Sequence, residues 1–152
     1  MAHLKKSILI HAPVDKVYIF ARDPKLWHTW WVALGAPEKI TGGGEVGTVV
    51  EHSYLLAGIK FPVTSRVLED NSGPEGNRWR GAIEGPFAGE QTWNYKPKSG
   101  DTEVTCDIEY TVPGKALGKF VDRLIIERMM ERNAEHTMEN LKMVCEQQAI
   151  AA

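Results

Sequence analysis

The stretch PGKALGKFVDRLIIERMMERNAEHTMENLKMVCEQ, Pro113 to Gln147, reads as one long helix. Val112-Pro113-Gly114 breaks the pattern before it, and no Pro or Gly follows Gly118. The rest is mostly Leu, Ile, Met, Glu, Arg, Lys and Ala, which are good helix formers. At about 1.5 Å per residue such a helix would span roughly 50 Å, longer than a small domain is wide, so it must lie across the whole domain. Leu117, Phe120, Val121 and Leu124 share one side, while Ile126, Met130, Ala134, Thr137, Leu141 and Val144 share another, offset by roughly 130°. The change falls at the apolar run Leu124-Ile125-Ile126, which predicts a kink, a π-bulge or a segment buried all round. Met129 and Met130 suit a surface that adapts to a ligand, so the helix is expected to close one side of a cavity as well as the core.

Working outward, the residues before this helix have period two. Val50, His52, Tyr54 and Leu56 fall on one strand face, and after an Ala57-Gly58 turn Phe61, Val63, Ser65 and Val67 fall on the next. Asp70 to Gly76 is dense in turn residues. Then Trp79, Gly81 and Ile83 alternate with Arg78, Arg80 and Ala82, and Phe87, Gly89, Gln91, Trp93 and Tyr95 alternate with Ala88, Glu90, Thr92 and Asn94. Last, Val104, Cys106, Ile108, Tyr110 and Val112 alternate with Glu103, Thr105, Asp107, Glu109 and Thr111. One wet and one buried face is the signature of an antiparallel meander.

The N-terminal part is shorter-range. Leu4 to His11 reads as a strand. Pro13 opens a short helix with Val14, Val17, Tyr18 and Ala21 on one face. Asp23-Pro24 opens a second, carrying Leu26, Trp27, Trp30 and Trp31. Ala36 to Ile40 is a possible edge strand. Gly42 to Gly47, GGGEVG, matches GxGxxG in letters only: it opens the strand-like Thr48-Val49-Val50 instead of a helix, so it reads as a glycine hairpin and not a dinucleotide site. The fold class is therefore α+β: a curved antiparallel sheet of about seven strands around a long C-terminal helix, with two short helices after the first strand.

Composition sets bounds. The chain has 152 residues, 43% hydrophobic and 25% charged, with net charge −2, so one domain over 1–152 is expected. No basic block suggests nucleic acid, and no apolar run is long enough to span a membrane. Two cysteines, Cys106 and Cys145, suggest no disulfide framework, which favours a cytoplasmic location. The five tryptophans are the oddity: such rings fill a core or line an apolar site.

The order and the strings together resemble the START/Bet v 1-like (SRPBCC) superfamily, and within it the bacterial polyketide cyclase/dehydrase and lipid-transport group. The resemblance rests on I-x-I-x-A-P-V-D-K-V-Y at Ile8 to Tyr18, D-P-x-x-W at Asp23 to Trp27, E-G-P-F-A-G-E at Glu84 to Glu90, a G-x-T-x-V-style last strand, V-P-G-x-x-L-G at Val112 to Gly118 and E-N-L-K at Glu139 to Lys142. It covers essentially the whole chain. It implies a helix-grip fold and an internal hydrophobic cavity between sheet and long helix, closed at one end by the short helices. It implies no universal catalytic motif, and fold alone does not settle function.

The small or polar inward positions Ser65, Gly81, Gly89 and Gln91 leave room for such a cavity. The expected ligand-binding residues are the rings Trp27, Trp31, Trp79 and Trp93; His52, Tyr54, Phe61, Val63 and Ser65 on the middle strands; Gln91, Cys106, Ile108 and Tyr110 on the later ones; and Leu124 and Met130 on the helix. Trp30 and Trp31 cannot both face inward on one helix, so one is expected at the mouth or in a protein interface. His52 and Tyr54, two apart on an inward face, are the candidate acid/base pair. The five histidines lack metal-ligand spacing, and no metal or cofactor is expected. Three readings follow: binding or transport of a lipid, isoprenoid or polyketide-like molecule; an aromatase/cyclase-like enzyme using His52 and Tyr54; or an interaction module, with a homodimer as one form, using Trp30 and Trp31.

Overall fold

The computed structural model describes residues 1–111 and 122–151. Its elements are β1 (Ala2–Ile10), α1 (Val14–Arg22), α2 (Trp27–Trp30), β2 (Lys39–Thr41), β3 (Val49–Leu56), β4 (Ile59–Gly73), β5 (Gly76–Glu84), β6 (Ala88–Lys98), β7 (Asp101–Thr111) and α3 (Arg123–Ala151). The strands form one seven-stranded sheet in the order β1-β7-β6-β5-β4-β3-β2, with every pair antiparallel. This is the helix-grip arrangement: a curved sheet around a long C-terminal helix.

The alternation sets the faces. Val50, His52, Tyr54 and Leu56 are buried while Glu51 and Leu55 are exposed, and Phe61, Val63, Ser65 and Val67 are buried on the neighbouring strand. The Ala57-Gly58 turn has φ of 52° and 78°, both left-handed, as a two-residue hairpin of the I′ kind requires. The Gly42–Gly47 segment joins β2 to β3 in an antiparallel hairpin, its Gly44 N–H held by Thr48 Oγ1 at 3.0 Å.

Four expectations need correcting. The turn between β4 and β5 is not Asp70 to Gly76: β4 continues to Gly73, and Asp70 pairs with Trp79. A bulge between Val67 and Glu69 is the reason. It shifts the parity of the strand, so Asp70 joins Trp79 on the concave face. There it accepts from Tyr18 Oη and from both Arg22 Nε (3.2 Å) and Arg22 Nη2 (2.7 Å), which ties α1 to the sheet. Burial alone would raise the Asp70 carboxyl, but these hydrogen bonds outweigh it and hold it below its ordinary value.

Pro13 is the N-cap of α1 and not its first helical residue. The run Leu124-Ile125-Ile126 is not buried all round: Leu124 and Ile125 are half exposed, Ile126 is fully buried, and α3 is regular α-helix from Arg123 onward. The run sits in the first turn, where Asp122 Oδ1 accepts from Leu124 N at 3.0 Å. Downstream, the buried face is Ile126, Met130, Ala134, Thr137 and Leu141 as expected, but Met138 and Cys145 complete it while Val144 is only half buried. The start placed at Pro113, the face of Leu117, Phe120 and Val121, and Val112 at the end of β7 lie outside the described residues.

The fourth correction concerns Trp31. α2 has a single turn, Trp27–Trp30, and Trp31 is its C-cap in extended conformation (φ −82°, ψ 115°). The 100° step that would separate neighbouring side chains no longer applies. Trp30 is buried and Trp31 half buried, with ring centroids 5.4 Å apart. Neither presents an exposed ring for a partner.

Candidate functional site

The concave face of the sheet carries large rings, and α3 crosses it with the small residues Ala134 and Thr137 facing inward. Large against small leaves a hollow between them. Tyr54 of β3, Gln91 and Trp93 of β6, and Cys106, Ile108 and Tyr110 of β7 form its sheet side. Met130, Asn133, Ala134 and Thr137 form its helix side. Phe87 and Trp31 narrow it at either side. Its cavity volume is only about 40 Å³. It is a narrow slot between rings.

Trp31 is placed there by α3. Thr137 Oγ1 accepts from Val32 N at 3.0 Å, and Asn140 Nδ2 donates to Trp30 O at 3.2 Å. These two bonds hold the backbone on both sides of Trp31, and the ring meets Trp93 at 5.3 Å. At the opposite side Tyr54 stacks on Phe87 (5.1 Å, 3° between planes), and Phe87 on Tyr110 (5.8 Å).

A second, smaller hollow lies behind the first. Trp27, Trp30, Trp79 and Tyr95 line it, and it shares Trp31 and Trp93 with the larger one. Trp27 and Trp79 meet edge to face at 5.5 Å.

Apart from Glu90, whose exposed carboxylate at the rim lies 3.7 Å from Arg80 Nη1, the polar groups of the larger slot are uncharged. Gln91 Oε1 accepts from Trp93 Nε1 at 2.9 Å. Burial raises the Tyr54 phenol, with Asn133 pulling it part of the way back, and pushes Tyr110 up to about 12. Burial also pushes the Cys106 thiol up to about 11, so it stays protonated near neutral pH and is a poor nucleophile.

His52 and Tyr54 are both buried but do different things. His52 Nε2 lies 2.7 Å from Ser65 Oγ, and burial lowers the ring to about 4. Tyr54 Oη donates to Met130 Sδ at 3.5 Å. Tyr54 lines the slot and His52 does not. The structure does not assemble them as an acid/base pair.

Of the other expected residues, Phe61 and Val63 are packed in a core cluster with Leu56 and Ile126. Ser65 is taken by His52. Trp27 and Trp79 line only the inner hollow. Leu124 is half exposed, off the slot. Gly81 leaves no room, because the Trp79 ring already covers it and a Cβ would collide with that ring. Gly89 does line the slot, and it is also needed where β6 passes close to the Glu109 carbonyl. Asn133 was missed. It sits one turn of helix from Met129 and Thr137, and nothing in the helical pattern marks a polar residue there as inward-facing. Among the described residues no three His, Cys, Asp or Glu side chains gather as metal ligands, and no helix is long and apolar enough to cross a membrane.

A family model described as polyketide cyclase / dehydrase and lipid transport matches residues 1–146. No curated protein matches the sequence significantly. Among solved structures, TTHA0849 from Thermus thermophilus is 22% identical with a TM-score of 0.73, covering 99% of this chain and 98% of its own. A START superfamily protein from Mycobacterium smegmatis is 14% identical (TM-score 0.71, 96% and 98% covered). The Zhui aromatase/cyclase from Streptomyces sp. R1128 is 18% identical (TM-score 0.70, 97% and 94% covered). At these identities the likenesses speak to the fold alone.

Proposed function

The chain belongs to the polyketide cyclase / dehydrase and lipid transport family, and from that premise we propose that it binds and carries a small hydrophobic molecule, a lipid, isoprenoid or polyketide-like compound, in the slot between the sheet and α3. The observation that carries this reading is the slot itself: a ring-lined space with a few polar groups and one rim carboxylate, Glu90, where a well-packed core would have side chains. The slot is narrow, but two of its walls, the Met130 thioether and the half-buried Trp31, can move to widen it. The cytoplasm is the proposed setting. Catalysis by His52 and Tyr54 has less support, since the histidine is engaged with Ser65 outside the slot.

The test is a thermal-shift panel of fatty acids, isoprenoids, quinones and polycyclic aromatics, with native mass spectrometry of gently purified protein. A ligand at a hundred times its Kd stabilises by about 2.7 kcal/mol, a rise of roughly 5 °C or more for a chain of this size. Ala134→Phe, which places a ring in the slot, should remove that shift while leaving the fold. No stabilisation by any member of the panel would sink the reading.

A further inference from the structure

Two of the tryptophans that line the inner hollow carry a buried donor with nothing to give to. Trp30 Nε1 and Trp79 Nε1 are buried and have no protein acceptor among the described residues. Both residues line that hollow. An indole N–H donates and cannot accept, and a buried donor without a partner costs much of what its hydrogen bond to water was worth. Elsewhere the fold meets this need: Trp93, in the same wall, gives its N–H to Gln91 at 2.9 Å. The inner hollow has a cavity volume of about 10 Å³, room for roughly one oxygen atom. Trp31 and Trp93 wall both hollows, so moving the Trp31 ring joins them.

Charge narrows the choice of acceptor. Among the described residues no Lys or Arg lines either hollow, so a carboxylate or phosphate there would be desolvated without a counter-ion. The amide of Gln91 spends its carbonyl on Trp93, which leaves its NH₂, again a donor, for the larger slot.

We infer that the ligand is an uncharged carbonyl compound on a flat apolar body, of the aryl ketone or quinone class, whose oxygen is received in the inner hollow by the indole N–H groups of Trp30 and Trp79 after the Trp31 ring gives way. This rests on the ligand-binding reading above and adds the acceptor oxygen and the absence of charge.

Three probes of one shape separate the possibilities at neutral pH: acetylnaphthalene, isopropenylnaphthalene (CH₂ in place of the carbonyl oxygen) and naphthoate. Calorimetric titration should give the ketone an affinity about tenfold or more above the alkene, because a site built to donate rejects the analogue that cannot accept. Naphthoate should bind at least about tenfold more weakly than the ketone, since its charge would be buried unpaired. In nitrogen-15 spectra of the wild-type protein, the ketone and not the alkene should move the Trp30 and Trp79 indole N–H signals. Trp79→Phe should shrink the ketone's advantage over the alkene; the wild-type spectra decide the matter if that variant does not fold. Equal affinity for ketone and alkene, with both indole signals unmoved, overturns the inference and leaves the pocket standing. Tightest binding of naphthoate overturns it too. If no probe and no member of the hydrophobic panel binds, both readings fall.

Discussion

His52 shows how a residue's surroundings reverse its expected use. An imidazole near neutral pKa is a ready acid or base. Burial beside Trp27 and Val63 takes it to about 4, so it is neutral under ordinary conditions and serves as a hydrogen-bonding partner for Ser65. The unfolded chain, with a pKa near 6.5, binds a proton that the folded chain refuses between roughly pH 6.5 and pH 4. Stability therefore falls as the pH drops through that window, by up to about 3 kcal/mol. Urea unfolding at pH 7 and pH 4.5 should show this loss in wild type, and His52→Gln should flatten it; equal slopes would refute the assignment. The inward direction of His52 was legible from period two, but its partner was not, because Ser65 meets it diagonally from the neighbouring strand β4.

At the scale of elements, most boundaries follow local chemistry and the exceptions follow contacts. The β3–β4 turn is local: Ala57-Gly58 sits between two alternating runs. Ala57 nevertheless holds a left-handed φ of 52°, which costs an alanine on the order of 1 kcal/mol. Ala57→Asn, an Asn-Gly turn, should stabilise by about 0.5–1 kcal/mol and raise the melting midpoint by about 1–4 °C. A lowered midpoint would mean the turn is not of the I′ kind. The end of α2 is not local. The Trp27–Trp30 turn stops where Thr137 and Asn140 of α3 take up the backbone around Trp31, more than a hundred residues away in sequence. The bulge in β4 likewise serves a contact, since it brings Asp70 to Tyr18 and Arg22.

For the whole molecule, that Asp70 cluster joins the sheet to α1, whose Ala21 lines the smaller hollow. Asp70→Asn removes the charge that pairs with Arg22 while keeping the shape. The expected cost is about 2 kcal/mol, a fall of roughly 4–8 °C in the melting midpoint, with faster hydrogen exchange in α1. An unchanged midpoint would show the cluster to be ornamental to stability. The wild-type carboxyl, depressed in the fold, contributes fully above its unfolded pKa, and that contribution is lost as pH falls below about 4 and on through the folded value. Acid should therefore weaken the protein in two stages, His52 first and Asp70 second.

Strand faces, the hairpins, the long helix and the α+β class were determined by the sequence alone, because a two-residue or 3.6-residue repeat is a local property that needs no knowledge of what lies opposite. From Ile126 to Leu141 the buried stripe of α3, all but Met138, could be read for the same reason. Only the tertiary structure decided that Trp31 turns in beside Trp30, that Asp70 belongs to a strand, that Trp79 fills the space over Gly81, and that His52 and Tyr54 part company. Each of these depends on a partner distant in sequence whose side chain competes for the same volume or hydrogen bond, and no periodicity in the chain records that competition.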